Sequence, residues 1–265
     1  MSIPITSPTN TRIKALVRLR DRRERDDTQT FAIEGFRELT RFLDADLSMK
    51  TLFVCPELFV GSNEPVLVDR CRGAGAEVIE VAEIPFRKAS YRDRPEGLIA
   101  VADQFDTTLD RIPRAETPFI LIAEAIEKPG NLGTMLRTAD AAGVTGVIVA
   151  DPTTDPFNPN VVRASLGTIF GVPLSITDTP TAIAYLRTTG SNIVATTPDA
   201  STAHFEADLS GPVALVVGSE QYGLSSQWLE AADTKVVIPM PGTVDSLNAA
   251  MAAGIVLFEA VRQRS

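Results

Sequence analysis

Hydrophobic positions along the chain follow two alternating patterns: short apolar runs, and segments with one apolar face. Short apolar runs favour buried strands, whereas apolar residues three and four positions apart favour amphipathic helices. The first part of the chain predicts a helix over Asn10–Asp27 and then alternating strands and helices. The predicted strands are Thr30–Glu34, Thr51–Cys55, Glu77–Val81 and Gly97–Ala102, and the predicted helices between them are Gly35–Leu43 and Glu64–Arg72. This alternation predicts a compact α/β unit.

A second α/β series follows the polar segment Asp106–Pro118, which has two prolines and no periodicity. We therefore expect a linker over 106–117 between a domain at 1–105 and a domain at 118–265. Phe119–Ala125 is a near-continuous apolar run, as expected of a parallel strand that is buried on both faces. Further strands are predicted at Gly146–Ala150, Asn192–Thr196, Val213–Gly218 and Lys235–Met240, and a C-terminal helix at Ser246–Gln263.

The composition is that of a globular protein and excludes several classes. With 44% hydrophobic and 22% charged residues in 265 positions, a disordered or collagen-like chain is excluded. No apolar run reaches about 18 residues, so no membrane span is predicted, and Met1–Arg12 lacks the apolar core of a signal peptide. Two cysteines, Cys55 and Cys71, cannot form a disulfide framework, and a single histidine, His204, disfavours a metal centre. We expect a cytoplasmic protein without a bound metal.

The charge is unevenly distributed. The net charge of −9 argues against a general nucleic-acid coat, but residues 1–42 carry +3 and the rest carries −12. A basic segment on an acidic body allows local contact with a polyanion. The candidates for phosphate contact in the first predicted helix are Arg12, Arg18, Arg22 and Arg25. The alternative is a solvated helix face held by pairs such as Asp21 with Arg25, and the sequence leaves both interpretations open.

Three connections in the second domain carry unusual residues where parallel α/β sheets bind ligands, at the carboxyl ends of strands. The first connection has Gly130 and Gly133, with Asn131 as a candidate helix cap and Arg137 further along the helix. Taken alone, this connection favours the alternative of a plain strand–helix turn with a surface arginine.

The second connection, Val217–Leu224, places Glu220 between Gly218 and Gly223 directly after a buried strand. A carboxylate there would lose solvation unless it had partners. The alternative is an exposed glutamate in a flexible turn.

The third connection follows the strand at Lys235–Met240. Pro239 and Pro241 stiffen the end of this strand, and Asp245 or Ser246 is expected to start a helix of small residues that allows close packing. The alternative is a simple helix cap on a tightly buried helix. The sequence contains neither a G-x-G-x-x-G fingerprint nor a Walker loop, so dinucleotide and nucleotide-triphosphatase functions lose their main support.

In this order, the three connections resemble the motifs of the SpoU (TrmH-type) RNA 2′-O-ribose methyltransferases of the SPOUT superfamily. The residues that carry the resemblance are Asn131, Gly133, Arg137, Gly218, Glu220, Gly223, Leu224, Ile238, Pro239, Met240, Ser246, Leu247 and Asn248. Segments 162–167 and 258–264 are similar to further parts of this family. The resemblance spans about residues 117–265, and the first domain resembles, less specifically, a substrate-binding domain that often precedes it.

The resemblance implies a parallel sheet whose C-terminal segment forms a deep trefoil knot, S-adenosylmethionine as cofactor, and a homodimer whose active site uses both subunits. It implies methylation of a ribose 2′-hydroxyl in RNA, and the extra N-terminal domain favours 23S ribosomal RNA. A transfer RNA methyltransferase and a non-catalytic RNA-binding or ribosome-assembly factor are the alternatives.

The resemblance also assigns roles to residues. Arg137 would act on the 2′-hydroxyl, and because a guanidinium keeps its proton, we expect it to bind phosphate and stabilise the developing alkoxide. Glu220, Ser246 and Asn248 would support it, with Glu220 orienting Arg137 by a bidentate pair, and Asn131 would place the RNA or Arg137. The expected cofactor contacts are Thr196, Gly218, Ile238, Met240 and Leu247.

Overall fold

The computed structural model describes residues 3–265 and divides them into two compact units. The first unit contains the residues up to Phe105 together with Phe157–Gly171, and the second contains Asp106–Pro156 and Val172–Ser265. The sequence pattern gives no sign that 157–171 would join the first unit. The domain boundaries at 105 and 117 stay a prediction.

The first unit is built on a four-stranded mixed sheet. Its elements before Phe105 are α1 (Thr11–Arg18), α2 (Arg22–Thr28), β1 (Thr30–Glu34), α3 (Phe36–Asp44), β2 (Met49–Val54), α4 (Glu64–Gly73), β3 (Glu77–Glu80), α5 (Glu83–Ala89) and β4 (Leu98–Asp103). The strand order is β1-β4-β2-β3, in which β4 is antiparallel to both neighbours and β2 is parallel to β3. The alternation of strands and helices predicted from the hydrophobic pattern is present, with α5 in addition.

The single helix predicted over Asn10–Asp27 is wrong, because the chain breaks between α1 and α2. Leu19 is buried, and the N–H groups of Arg20 and Asp21 bond to carbonyls three residues back, which forms a tight turn. The guanidinium of Arg25 donates to the carbonyl oxygens of Leu19 and Arg20 at 2.8 and 2.9 Å. These carbonyls lie at the end of α1, so Arg25 supplies the partners that a continuous helix would have supplied.

The second unit is built on a seven-stranded parallel sheet, which confirms the predicted α/β fold. Its elements are β5 (Phe119–Glu124), α6 (Pro129–Ala142), β6 (Gly146–Ala150), β7 (Leu174–Thr177), α8 (Thr179–Thr189), β8 (Asn192–Thr196), β9 (Thr202–Ala203), β10 (Val213–Val217), α9 (Ser226–Ala231), β11 (Thr234–Val237) and α10 (Ala249–Arg264). The remaining helix, α7 (Pro159–Ala164), belongs to the first unit. Strands β7 and β9 are too short to stand out in the hydrophobic pattern.

The strand order β7-β6-β5-β10-β8-β11-β9 puts β5, β10, β8 and β11 side by side. Strands β5 and β10 are buried along their whole length, as their unbroken apolar sequences predict. Because these strands are parallel, the connections that follow them all leave at the same edge of the sheet.

The third connection, between β11 and α10, begins earlier and ends later in the chain than the sequence pattern predicts. Strand β11 ends at Val237 rather than Met240, since Pro239 and Pro241 cannot donate to a strand ladder. Helix α10 begins at Ala249, and Asn248 caps it by accepting hydrogen bonds from the N–H groups of Ala250 and Met251. Residues 238–248 are therefore one irregular loop at the carboxyl edge. Over residues 3–265, every helix is too short or too polar to cross a membrane.

Candidate functional site

The carboxylate of Glu220 lies where the first, second and third connections meet. Its Oε1 accepts hydrogen bonds from Asn131 Nδ2 at 2.7 Å and from Asn248 Nδ2 at 2.6 Å, and its Oε2 is paired with Lys128 Nζ. Asn248 Nδ2 also lies 3.0 Å from Asn131 Oδ1. The side chains of Lys128, Asn131, Glu220 and Asn248, hereafter the Glu220 network, thus tie three loops together.

The local sequence explains how the Glu220 network is held. Pro129 starts α6 at the position where a missing N–H costs nothing, which places Asn131 in the first turn. Asn248 uses its side-chain oxygen to cap α10 and its side-chain nitrogen to reach Glu220. One asparagine therefore couples the start of a helix to the position of a carboxylate.

The hydrogen bonds of the Glu220 network favour the ionised form of Glu220. Hydrogen bonds from Lys128 and Asn131 hold the pKa of Glu220 below its usual value, and Glu220 in turn raises the pKa of Lys128. A carboxylate in this state is a hydrogen-bond acceptor and a weak base.

A cavity of about 460 Å³ lies beside the network, within the second unit. Its volume is in the range of small-molecule sites. It is lined by the ends of β8, β10 and β11, by the loops that follow them and by the start of α10. Of the residues predicted from the sequence, those that line it are Thr196, Gly218, Glu220, Ile238, Met240, Ser246 and Leu247.

The second connection is folded back on itself at the cavity wall. The backbones of Ser219 and Gly223 exchange two hydrogen bonds of 3.2 and 3.1 Å, and Gly223 has a φ of +67°, which favours glycine. A side chain at 218 would place its Cβ 2.2 Å from the carbonyl oxygen of Gly223. Both glycines of this connection are required by its geometry.

Thr196, at the end of β8, has a buried hydroxyl oxygen for which the described residues supply no hydrogen-bond partner. Buried polar groups are almost always paired, and this one belongs to a cavity-lining residue. A ligand with a polar group would complete its hydrogen bonding.

Arg137 lies apart from the cavity within one chain. It is exposed on α6 and is not among the lining residues. Six residues after Asn131, it lies roughly 240° around the helix from that residue by the 3.6-residue repeat. The predicted bidentate pair between Glu220 and Arg137 is wrong for the single chain, because Lys128, Asn131 and Asn248 occupy the carboxylate.

The predicted phosphate-contacting arginines of the first unit lie beside acidic partners or inside the fold. Arg12 is paired with Glu77 at 2.7 Å, Arg18 with Glu24 at 2.9 Å, and Arg22 with Asp26 at 3.6 Å. These pairs favour the solvated-face interpretation. Arg25 is 1% exposed, which excludes it from contact with a phosphate on a partner surface and corrects that prediction.

The structure adds Lys128, Asp199 and Asp245 to the residues that the motifs single out. Lys128 joins the Glu220 network, and the two aspartates line the cavity. Their only signal in the sequence is a charged side chain within a connection at a strand end. The described residues contain no group of three or more His, Cys, Asp or Glu side chains placed to hold a metal ion.

Comparison with known proteins gives two matches that together span most of the chain. Residues 118–258 match the model of the SpoU rRNA Methylase family, and residues 10–100 match that of the MRM3-like substrate binding domain. The chain is 30% identical to the 23S rRNA (guanosine(2553)-2′-O)-methyltransferase RlmP of Bacillus subtilis over 254 residues, which covers 96% of this chain and 97% of the relative.

Two solved structures share the fold over nearly the full length. One, described as an RNA 2′-O ribose methyltransferase, has a TM-score of 0.86 at 41% identity and covers 99% of both chains. The other, an AdoMet-bound rRNA methyltransferase from Sinorhizobium meliloti, has a TM-score of 0.89 at 35% identity and covers 98% of this chain and 97% of its own.

Proposed function

Because the chain belongs to the SpoU rRNA methylase family, we propose that it transfers a methyl group from S-adenosylmethionine to a ribose 2′-hydroxyl of 23S ribosomal RNA. The observation that carries this proposal is the convergence of Asn131, Glu220 and Asn248 beside a cavity of about 460 Å³. The RlmP relative is named for this reaction on 23S rRNA, and the Sinorhizobium meliloti neighbour contains the methyl donor. A ribosomal RNA substrate would place the protein in the cytoplasm.

The cavity fits S-adenosylmethionine on three counts. The hydroxyl of Thr196 lacks a partner among the described residues and suits a polar atom of the ligand. Gly218 allows its loop to fold back against Gly223, which keeps the loop backbone in the cavity wall. Ile238, Met240 and Leu247 provide apolar walls. When bound, the donor supplies an electrophilic methyl group on a positively charged sulfur.

The Glu220 network would position groups rather than move protons. Since the pKa of Glu220 is lowered, its carboxylate stays ionised and is a poor base. Its role is to hold the amides of Asn131 and Asn248 next to the cavity-lining carboxylate, and Ser246 lines the same cavity. Alignment of the hydroxyl with the methyl carbon can supply roughly 7–11 kcal/mol of the barrier, so a rigid positioning network suits this reaction.

Arg137 would bind the RNA phosphate next to the target ribose and stabilise the developing alkoxide. Within the described part of the chain, no carboxylate is paired with its exposed guanidinium. Since it does not line the cavity of its own chain, we assign it to the cavity of a second copy in a homodimer. Helix α6 packs on α10. On α10, the apolar side chains of Met251 and Phe258 are exposed and are available for contact with a second copy. The proposal includes the trefoil knot of the family in the segment from β10 to α10.

The test is methylation of 23S rRNA by the purified protein with S-adenosylmethionine, followed by mapping of 2′-O-methyl positions. We expect one new methylated ribose. Arg137→Ala should lower the rate by about 100-fold or more while calorimetric binding of S-adenosylmethionine is unchanged.

Arg114→Ala, which removes an exposed arginine from 106–117, is the matched control and should keep the wild-type rate. Absence of any methylated position would contradict the proposed function. Full activity of Arg137→Ala would contradict the role of this residue alone.

A further inference from the structure

The cavity lining is acidic, and no cationic side chain is among the lining residues. Three of its residues are carboxylates, Asp199, Glu220 and Asp245, and none of its lining residues is Lys, Arg or His. Low-dielectric walls around charges of one sign focus the field into such a cavity. The cavity should therefore distinguish ligands by their charge.

The three carboxylates differ in how far their charge is neutralised. Glu220 is paired with Lys128 and accepts two further hydrogen bonds from amides. Neither Asp199 nor Asp245 has a salt-bridge partner anywhere in residues 3–265. The uncompensated negative charge of the cavity thus comes from these two side chains.

Asp199 and Asp245 stand on two different loops of the cavity wall. Asp199 follows β8, three residues after Thr196, and its N–H donates to Thr197 Oγ1 at 3.4 Å. Asp245 lies in the loop 238–248 that precedes the cap of α10. Both residues are exposed, so water screens their charges and the effect of each is moderate.

We propose that Asp199 and Asp245 are specificity-determining residues that recognise the positive charge of the methyl donor. This inference rests on the proposed function and extends it to the discrimination between S-adenosylmethionine and S-adenosylhomocysteine. Methyl transfer breaks the carbon–sulfur bond, and its electron pair stays on sulfur. The methyl carbon bonds to the ribose oxygen, whose proton passes to water. The sulfonium thereby becomes a neutral thioether, and the product loses the attraction of the two carboxylates.

The test compares the binding of two probes that differ by this one charge. The dissociation constants of S-adenosylmethionine and S-adenosylhomocysteine are measured by calorimetry for the wild type, Asp199→Asn, Asp245→Asn and the double variant. The affinity ratio is the dissociation constant of S-adenosylhomocysteine divided by that of S-adenosylmethionine. Each single substitution should lower this ratio by about twofold to fivefold, as expected for partly screened charges. Sinefungin carries an ammonium group in place of the sulfonium. The substitutions should therefore weaken the binding of sinefungin in parallel with that of S-adenosylmethionine.

Three controls separate charge recognition from structural damage. Asp199→Glu keeps the charge and should keep the wild-type ratio. Glu116→Gln removes an equal charge from an exposed position outside the cavity and should leave the ratio unchanged. Raising the ionic strength should move the wild-type ratio towards that of the double variant.

The outcomes distinguish this inference from the proposed function. A wild-type protein that binds both probes, with a ratio that survives the double substitution, overturns the inference and leaves the methyltransferase proposal standing. A wild-type protein that binds neither probe overturns the proposed function, and the inference with it. A lower ratio of the two dissociation constants in the Asn variants, with thermal unfolding midpoints unchanged from the wild type, supports both the inference and the proposed function.

Discussion

At the scale of single residues, the position of Glu220 in the second connection depends on its neighbours in the loop and on side chains from two other connections. Glu220 is placed by a loop in which Gly218 has no room for a Cβ and Gly223 has a positive φ. The sequence predicted that this carboxylate needs partners, and the structure supplies Lys128, Asn131 and Asn248. The identity of those partners differs from the predicted Arg137, because Lys128 and Asn131 lie at the start of α6, whereas Arg137 lies further along the helix on another face.

Replacing Gly218 by alanine should disrupt the cavity wall. The added Cβ would lie 2.2 Å from a backbone oxygen that cannot rotate away. We expect a loss of about 1–3 kcal/mol in the free energy of unfolding and at least about tenfold weaker binding of S-adenosylmethionine. Denaturant titration and calorimetry measure the two effects.

Gly242→Ala is the matched control, since a Cβ at 242 meets nothing within 4 Å. It should be close to wild type in both measurements. Wild-type stability and affinity for Gly218→Ala would show that the loop between 218 and 223 relaxes freely and does not shape the cavity.

At the scale of elements, helix ends decide where the functional side chains stand. Helix α10 begins at Ala249 and is capped by Asn248, so the cap and the Glu220 network share one residue. Its last turns are fastened by Glu259, whose carboxylate accepts hydrogen bonds from Arg262 and Gln263 at 2.7 Å each. Gln263 Oε1 also accepts a hydrogen bond from the backbone N–H of Leu209 at 2.8 Å, which connects the helix to the chain before β10.

The end of α10 should contribute pH-dependent stability. Hydrogen bonds from Arg262 and Gln263 lower the pKa of Glu259 from 4.5 to about 2. A carboxyl group with a lowered pKa stabilises the fold above its ordinary pKa, and this contribution is lost as the pH falls towards the folded value. Glu259→Gln should therefore be less stable than the wild type at pH 7, and the difference should vanish between about pH 5 and pH 2.

Thermal unfolding midpoints across this pH range measure the effect. Glu230→Gln, at an exposed position of α9, should differ from the wild type by the same small amount at every pH. A constant difference for Glu259→Gln as well would mean that the hydrogen bonds of Glu259 do not contribute to folding.

At the scale of the whole molecule, the parallel sheet collects distant loops and leaves Arg137 apart from them. The connections after β5, β8, β10 and β11 share one edge, yet the guanidinium of Arg137 does not line the cavity of its own chain. A site completed by a second copy is the arrangement that brings these parts together in our proposal.

Mixed dimers test this arrangement. Arg137→Ala and Gly218→Ala chains with different tags are co-expressed, and the heterodimer is purified on both tags. If Arg137 serves the cavity of the other chain, each heterodimer has one intact site, and it should recover about half of the wild-type activity per dimer.

Each homodimer of the same variants, assayed at S-adenosylmethionine concentrations below the dissociation constant of the Gly218→Ala protein, should have at most about a tenth of the wild-type activity, which provides the reference. An inactive heterodimer would place Arg137 and the cavity in the same chain. Failure to purify any heterodimer, although each tag alone retains protein, would contradict the homodimer.

The local sequence by itself determined much of this protein. Apolar runs such as Gly146–Ala150 and Asn192–Thr196 became strands with the predicted bounds, because a strand buried on both faces must be apolar throughout. Pro129 and Asn248 mark the starts of two helices through their own side chains, because Pro129 suits the first helical turn and Asn248 caps the free N–H groups of α10. The three motifs likewise lie within single connections, so their order alone revealed the family.

Only the tertiary structure decided which side chains meet. The break after Arg18 depends on the buried guanidinium of Arg25, and the partners of Glu220 depend on the strand order β5-β10-β8-β11. The acidic character of the cavity depends on Asp199 and Asp245, whose loops follow different strands. Periodicity describes neighbours within one element, whereas charge and hydrogen bonding at a site are set by residues that the fold brings together from distant positions.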